Sequence, residues 1–170
     1  MSETRPPARG LLGVYLNDHL AGAIAGVHLV RRMSAAAEPG SDAATILGKL
    51  ATQITADRAA LIAMMDALGI PVRGYKALAA WAAQRAGSLK PNLRLLSRSP
   101  LSDLEEAEAL RLGVEGKADC WRTLRLLADH DDRLDAARLD HLLARAIRQS
   151  VMLEELRTTR ARTVLPVPAR

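Results

Sequence analysis

The sequence predicts an all-α protein built as a four-helix bundle, and three observations carry that prediction. Ala, Leu and Arg dominate the 170 residues, and all three are strong helix formers. No stretch alternates β-branched and polar residues as a half-buried strand would. Along four long segments, apolar residues recur three and four positions apart, the spacing of one helix face. The length suits one domain with a sizeable core.

The first helix is predicted over 11–37, because the apolar repeat ends at the breaker pair Pro39-Gly40. Its seam is Leu12, Leu16, His19, Ala23, Gly26, Val30 and Met33, with Gly22 and Gly26 making it thin enough for another helix to approach closely. The second helix, 42–69, has Ser41 or Asp42 as its cap and Gly69 at its end, with Pro71 beyond. Its seam is Leu47, Leu50, Ile54, Asp57, Leu61, Met64 and Leu68, and only Asp57 interrupts it. Residues 70–102 form a connection with a short helix near 72–86, anchored by Trp81. The third helix, 103–128, opens with the capping box Ser102-x-x-Glu105 and has the seam Leu110, Val114, Lys117, Trp121 and Leu124. The fourth, 132–157, takes Asp131 or Asp132 as its cap and has the seam Leu139, Leu143, Ala146, Ser150 and Leu153. Residues 1–10 and the basic, proline-containing 158–170 are predicted flexible tails.

The net charge of +5 is uneven. Segment 70–100 carries Arg73, Lys76, Arg85, Lys90, Arg94 and Arg98 with no acid, and the last residues add Arg160 and Arg162. These cations are the candidates for contact with a nucleic acid or another polyanion. Packing against the acidic segment 101–156 is the favoured expectation, because no aromatic platform or groove reader accompanies them. Cys120 is the only cysteine, which rules out an intrachain disulfide and a cysteine-rich zinc site. The apolar run after the N-terminus is broken by Asn17, Asp18, His19 and His28, so neither a signal peptide nor a membrane span is expected. A bacterial cytoplasmic protein is the expectation.

Short loops join helices 1 to 2 and 3 to 4, making two antiparallel hairpins, and some thirty residues separate the hairpins. These lengths resemble the ferritin-like superfamily. The stretches Tyr15-Leu16-Asn17-Asp18-His19-Leu20-Ala21-Gly22 and Leu112-Gly113-Val114-Glu115-Gly116-Lys117 are similar to those of an uncharacterised bacterial branch of it. The resemblance implies two hairpins joined by one long crossover, and it covers most of 11–157.

Di-iron members of such bundles use Glu-x-x-His pairs on two helices and a Glu from each of the others. No Glu or Asp here has His three residues later, and Glu115 falls on the outer side of its predicted seam. His19 and Asp57 alone supply half a tetrahedral site, and Lys117 would repel a cation. The expected arrangement is instead a buried polar layer of His19, Asp57, Lys117 and Ser150, with Lys117 and His19 donating to Asp57. No metal, cofactor or catalytic residue is expected. The functional expectation is a structural or interaction protein, a homo-oligomer through a helix face. The alternatives are an enzyme or small-ligand binder using the polar layer, and a weak polyanion binder.

Overall fold

The computed structural model describes residues 8–73 and 100–165. Among these residues it is all-helical: α1 (Ala8–Ala36), α2 (Asp42–Ala67), α3 (Pro100–Ala128) and α4 (Ala136–Val164) form a four-helix bundle. The predicted short helix near 72–86, Trp81 and most of the connection lie outside the described residues.

The helix ends follow local chemistry. Ser41 caps α2, its hydroxyl accepting from the Ala44 N–H at 3.1 Å. At the other end Gly69 takes φ +67°, the left-handed conformation that costs glycine nothing. The Gly69 N–H then reaches the Asp66 carbonyl and the Ile70 N–H the Met65 carbonyl, so two orphan carbonyls are satisfied.

Several boundaries differ from expectation. α3 begins at Pro100, placing Ser102 inside the first turn rather than at the cap, because proline's fixed φ suits the first helical position. α4 is capped by Asp135, which accepts from the Arg138 N–H at 3.0 Å, while Asp131 instead binds Arg133 in the loop. α4 also runs to Val164, seven residues past the expected end at 157. Nothing in Thr158 to Val164 breaks a helix; the first breaker is Pro166, which pushes the residue before it out of helical conformation. Likewise α1 starts at Ala8 rather than Leu11.

Cross-helix bonds fix the directions. Tyr15 meets Thr123 and Arg32 meets Glu106, so α1 and α3 are antiparallel. Asp57 meets Arg145 and the Leu68 carbonyl meets Arg133, so α2 and α4 are antiparallel. Each helix therefore neighbours two antiparallel ones, with α1 diagonal to α4 and α2 diagonal to α3. It follows that α2 and α3 run the same way: the chain leaves α2 at one end of the bundle and enters α3 at the other. Packing is closest between α3 and α4 and slightest between α2 and α4.

The core is aliphatic, with Trp121 the largest fully buried side chain among the described residues. On α1 the buried stripe is Leu16, Leu20, Ile24, Val27 and Val30, which turns His19, Ala23 and Gly26 toward the flank. Burying Leu20, Ile24 and Val27 removes more apolar surface from water than burying His19, Ala23 and Gly26, at about 1.5–3 kcal/mol per large side chain. On α4 the stripe is Leu139, Leu142, Ala146, Gln149, Leu153 and Leu156, which keeps the predicted Leu139, Ala146 and Leu153 but replaces Leu143 and Ser150 with the residue before each.

Candidate functional site

The polar layer is built around Asp57, 2 % exposed at the middle of α2. Both of its oxygens are occupied. Lys117 from α3 donates to Oδ2 at 2.5 Å, and the Gln149 amide from α4 donates to the same oxygen at 3.1 Å. Arg145, one helical turn before Gln149, donates from Nε to Oδ1 at 2.8 Å and from Nη2 to that oxygen as well. Lys117 also donates to the Gln149 carbonyl, and the Gln149 amide reaches Gln53 on α2 at 3.1 Å. One carboxylate thus ties three helices together through two cations and an amide.

The electrostatics of the layer are set by burial. Burial pushes the Lys117 ammonium below its ordinary pKa, Asp57 opposes that shift, and the neighbouring Arg145 charge adds to it. Lys117 and Arg145 keep only 14 % and 21 % of their side chains exposed. Removing the carboxylate would strand both charges, which makes Asp57 the keystone of the arrangement.

Asp57 and Lys117 are therefore brought together, whereas His19 and Ser150 lie elsewhere. His19 packs edge-on against Tyr15 at a ring-centroid distance of 4.4 Å, on the side of α1 that faces α3. Burial pushes its imidazole below the usual value, opposed by Asp18 and Asp119. The one-residue displacement of the α1 stripe is the reason it misses the layer. Ser150 lies about 100° around α4 from Gln149, and its hydroxyl donates to Glu115 on α3. Glu115, expected on the outer face, is half-buried at the α3–α4 contact.

Gln149 and Arg145 belong to the layer although the seam pattern does not mark them. Gln149 is fully buried and occupies the position expected of Ser150. Arg145 reaches in from the flank of α4 on its long stem, so no seam position signals it. A further buried polar residue, Asn17, acts at the end of the bundle. Its amide donates to the Gly13 and Pro71 carbonyls at 2.8 and 3.2 Å, and its carbonyl accepts from the Arg73 N–H at 2.8 Å. Asn17 thereby pins to α1 the segment that leaves α2.

Of the cations considered for polyanion contact, Arg73 and Arg162 are exposed, and Arg160 lies 3.5 Å from Asp103. Lys76, Arg85, Lys90, Arg94 and Arg98 lie outside the described residues. Among the described residues no group of three or more His, Cys, Asp or Glu is placed to hold a metal ion. No helix among them is long and apolar enough to cross a membrane. Comparison with protein-family models, curated proteins and solved structures finds no match to this chain. The class defined by fold and site is an all-α four-helix bundle with a charged layer at its centre.

Proposed function

We propose that the chain is a cytoplasmic ferritin-like bundle in which a charge network stands where metal-binding relatives hold a di-iron centre. In this reading it works as a structural or interaction protein through homo-oligomeric assembly. The observation that carries the reading is the saturated Asp57 carboxylate. A divalent ion would have to displace Lys117 and Arg145 from it and then sit beside both positive charges. The parallel course of α2 and α3 supports the ferritin-like topology, since a long crossover is what joins helices of that relation.

Support for assembly comes from the α1–α3 face. The register set by Tyr15–Thr123 and Arg32–Glu106 puts Gly22 level with Gly116 and Gly26 level with Leu112, next to Gly113. Among the described residues, a Cβ on any of these four glycines would meet nothing within 4 Å. Glycine inside a helix costs roughly 0.5–1 kcal/mol relative to alanine, and no contact among the described residues offsets that here. Leu112, beside them, is 71 % exposed. Light scattering coupled to gel filtration tests the reading. It should return a multiple of the 18.3 kDa chain mass, shifted toward the monomer by Leu112→Lys. A monomer at every concentration would end the assembly reading.

A further inference from the structure

The layer holds more donors than it can use. Each Asp57 oxygen already accepts two hydrogen bonds, Arg145 Nε and Nη2 on Oδ1, Lys117 and Gln149 on Oδ2. A carboxylate has about four lone-pair directions, so its accepting capacity is spent. The Gln149 and Gln53 carbonyls accept from Lys117 and from Gln149 respectively. Left over on Arg145 are both hydrogens of Nη1 and the second hydrogen of Nη2. Charge is out of balance in the same sense: two cations face one carboxylate, which leaves one positive charge uncompensated.

The surplus edge of Arg145 has the geometry of a receptor. A guanidinium has two forks, and Asp57 takes the fork made by Nε and Nη2. The other, made by Nη1 and the remaining Nη2 hydrogen, is the shape that carboxylate and phosphate oxygens bind bidentately. The buried Asp57 fixes the plane of the guanidinium, so little side-chain freedom remains to be lost when a ligand binds. Arg145 spans the loosely packed α2–α4 seam and keeps a fifth of its side chain exposed there. Among the described residues one turn away, no acid competes for it. Its neighbours one turn away on α4 are His141, Leu142, Arg148 and Gln149, and those of Asp57 on α2 are Gln53, Ile54, Ala60 and Leu61.

We propose that the unused fork of Arg145 is a binding site for a small oxyanion, a carboxylate, phosphate or sulfate group, with Lys117 supplying the second charge behind it. Asp57 is then a positioning residue, holding the fork toward solvent. The site is independent of the assembly reading, because all of its residues come from one chain.

The experiment is thermal unfolding and titration calorimetry with inorganic phosphate and with sulfate, against sodium chloride at matched ionic strength. The wild-type protein should show a saturable rise in midpoint with either oxyanion, as expected of a ligand that binds only the folded state. Arg145→Lys keeps the charge and a contact to Asp57 but removes the fork. It should weaken oxyanion binding by about tenfold or more, the worth of a charge-assisted hydrogen bond. Arg148→Ala should bind as wild type does. Far-UV circular dichroism establishes that each variant is folded before titration. An oxyanion effect no larger than that of chloride would overturn the proposal. Unchanged binding in Arg145→Lys would overturn it equally, as would loss of the effect in an Arg160→Ala/Arg162→Ala variant instead.

Discussion

Replacing Asp57 with Ala removes the acceptor on which two cations and an amide converge. Lys117 and Arg145 are then left side by side, with 14 % and 21 % of their side chains in contact with solvent. Breaking a buried ion pair by deleting one partner costs about 3–5 kcal/mol. Here the cations can relax partway toward water, and the expected loss is near the lower end, about 3 kcal/mol. For a chain of this size that corresponds to a fall in midpoint of roughly 6–12 °C. Urea unfolding followed at the helical circular-dichroism band measures it, provided the slope of the transition stays unchanged. Asp57→Leu combined with Lys117→Met and Arg145→Met should recover most of the loss, because an apolar layer of similar volume needs no acceptor. A change of less than about 0.5 kcal/mol in Asp57→Ala, the range of an ordinary surface substitution, would refute the reasoning.

Other outcomes follow from the same geometry. Gln149→Ala should cost about 2 kcal/mol by stranding donors in the layer and opening a cavity, whereas Ser150→Ala at the α3–α4 contact should cost less than about 1; chemical denaturation of both variants separates them. The lowered pKa of His19 means that the unfolded chain takes up a proton first, so stability is full above pH 6.5 and falls as pH drops toward the folded value; denaturation at several pH values should show a flatter acid limb in His19→Gln. Burial pushes the Cys120 thiol up to about 12, so its contribution to stability is present below the ordinary value of 9.0 and declines as pH rises through that window. A disulfide-exchange reagent should leave native Cys120 unlabelled at neutral pH and label it on unfolding, with Cys120→Ala showing the shallower alkaline decline.

How much of this was legible in the sequence depended on contrast along each helix. In α2 every seam position except one is a large aliphatic residue, so Asp57 stood out and its burial could be read directly. In α1 the small residues Ala21, Gly22, Ala23, Ala25 and Gly26 make neighbouring stripes alike in pattern, and only the larger surface of Leu20, Ile24 and Val27 decides between them. Spacing alone put His19 one position into the core. In α4 the adjacent polar residues Gln149 and Ser150 compete for one place. The longer amide wins because it spans to Asp57, Lys117 and Gln53 together. Arg145 belongs to neither stripe, and its role depends on side-chain reach rather than on periodicity. The cap of α4 is ambiguous for a similar reason: four aspartates lie between α3 and α4, and Asp135 is the one that stands between the buried Leu134 and Leu139.

The proposal that a charge network stands in the middle of this bundle in place of a metal centre has a direct experimental consequence. Elemental analysis tests it most directly, on protein expressed with iron, manganese and zinc supplied and purified without chelator. Less than stoichiometric amounts of all three metals are expected, with a thermal midpoint unmoved by chelator. Roughly two ions per chain, the occupancy of a di-iron site, lost together with stability when chelator is added, would contradict it.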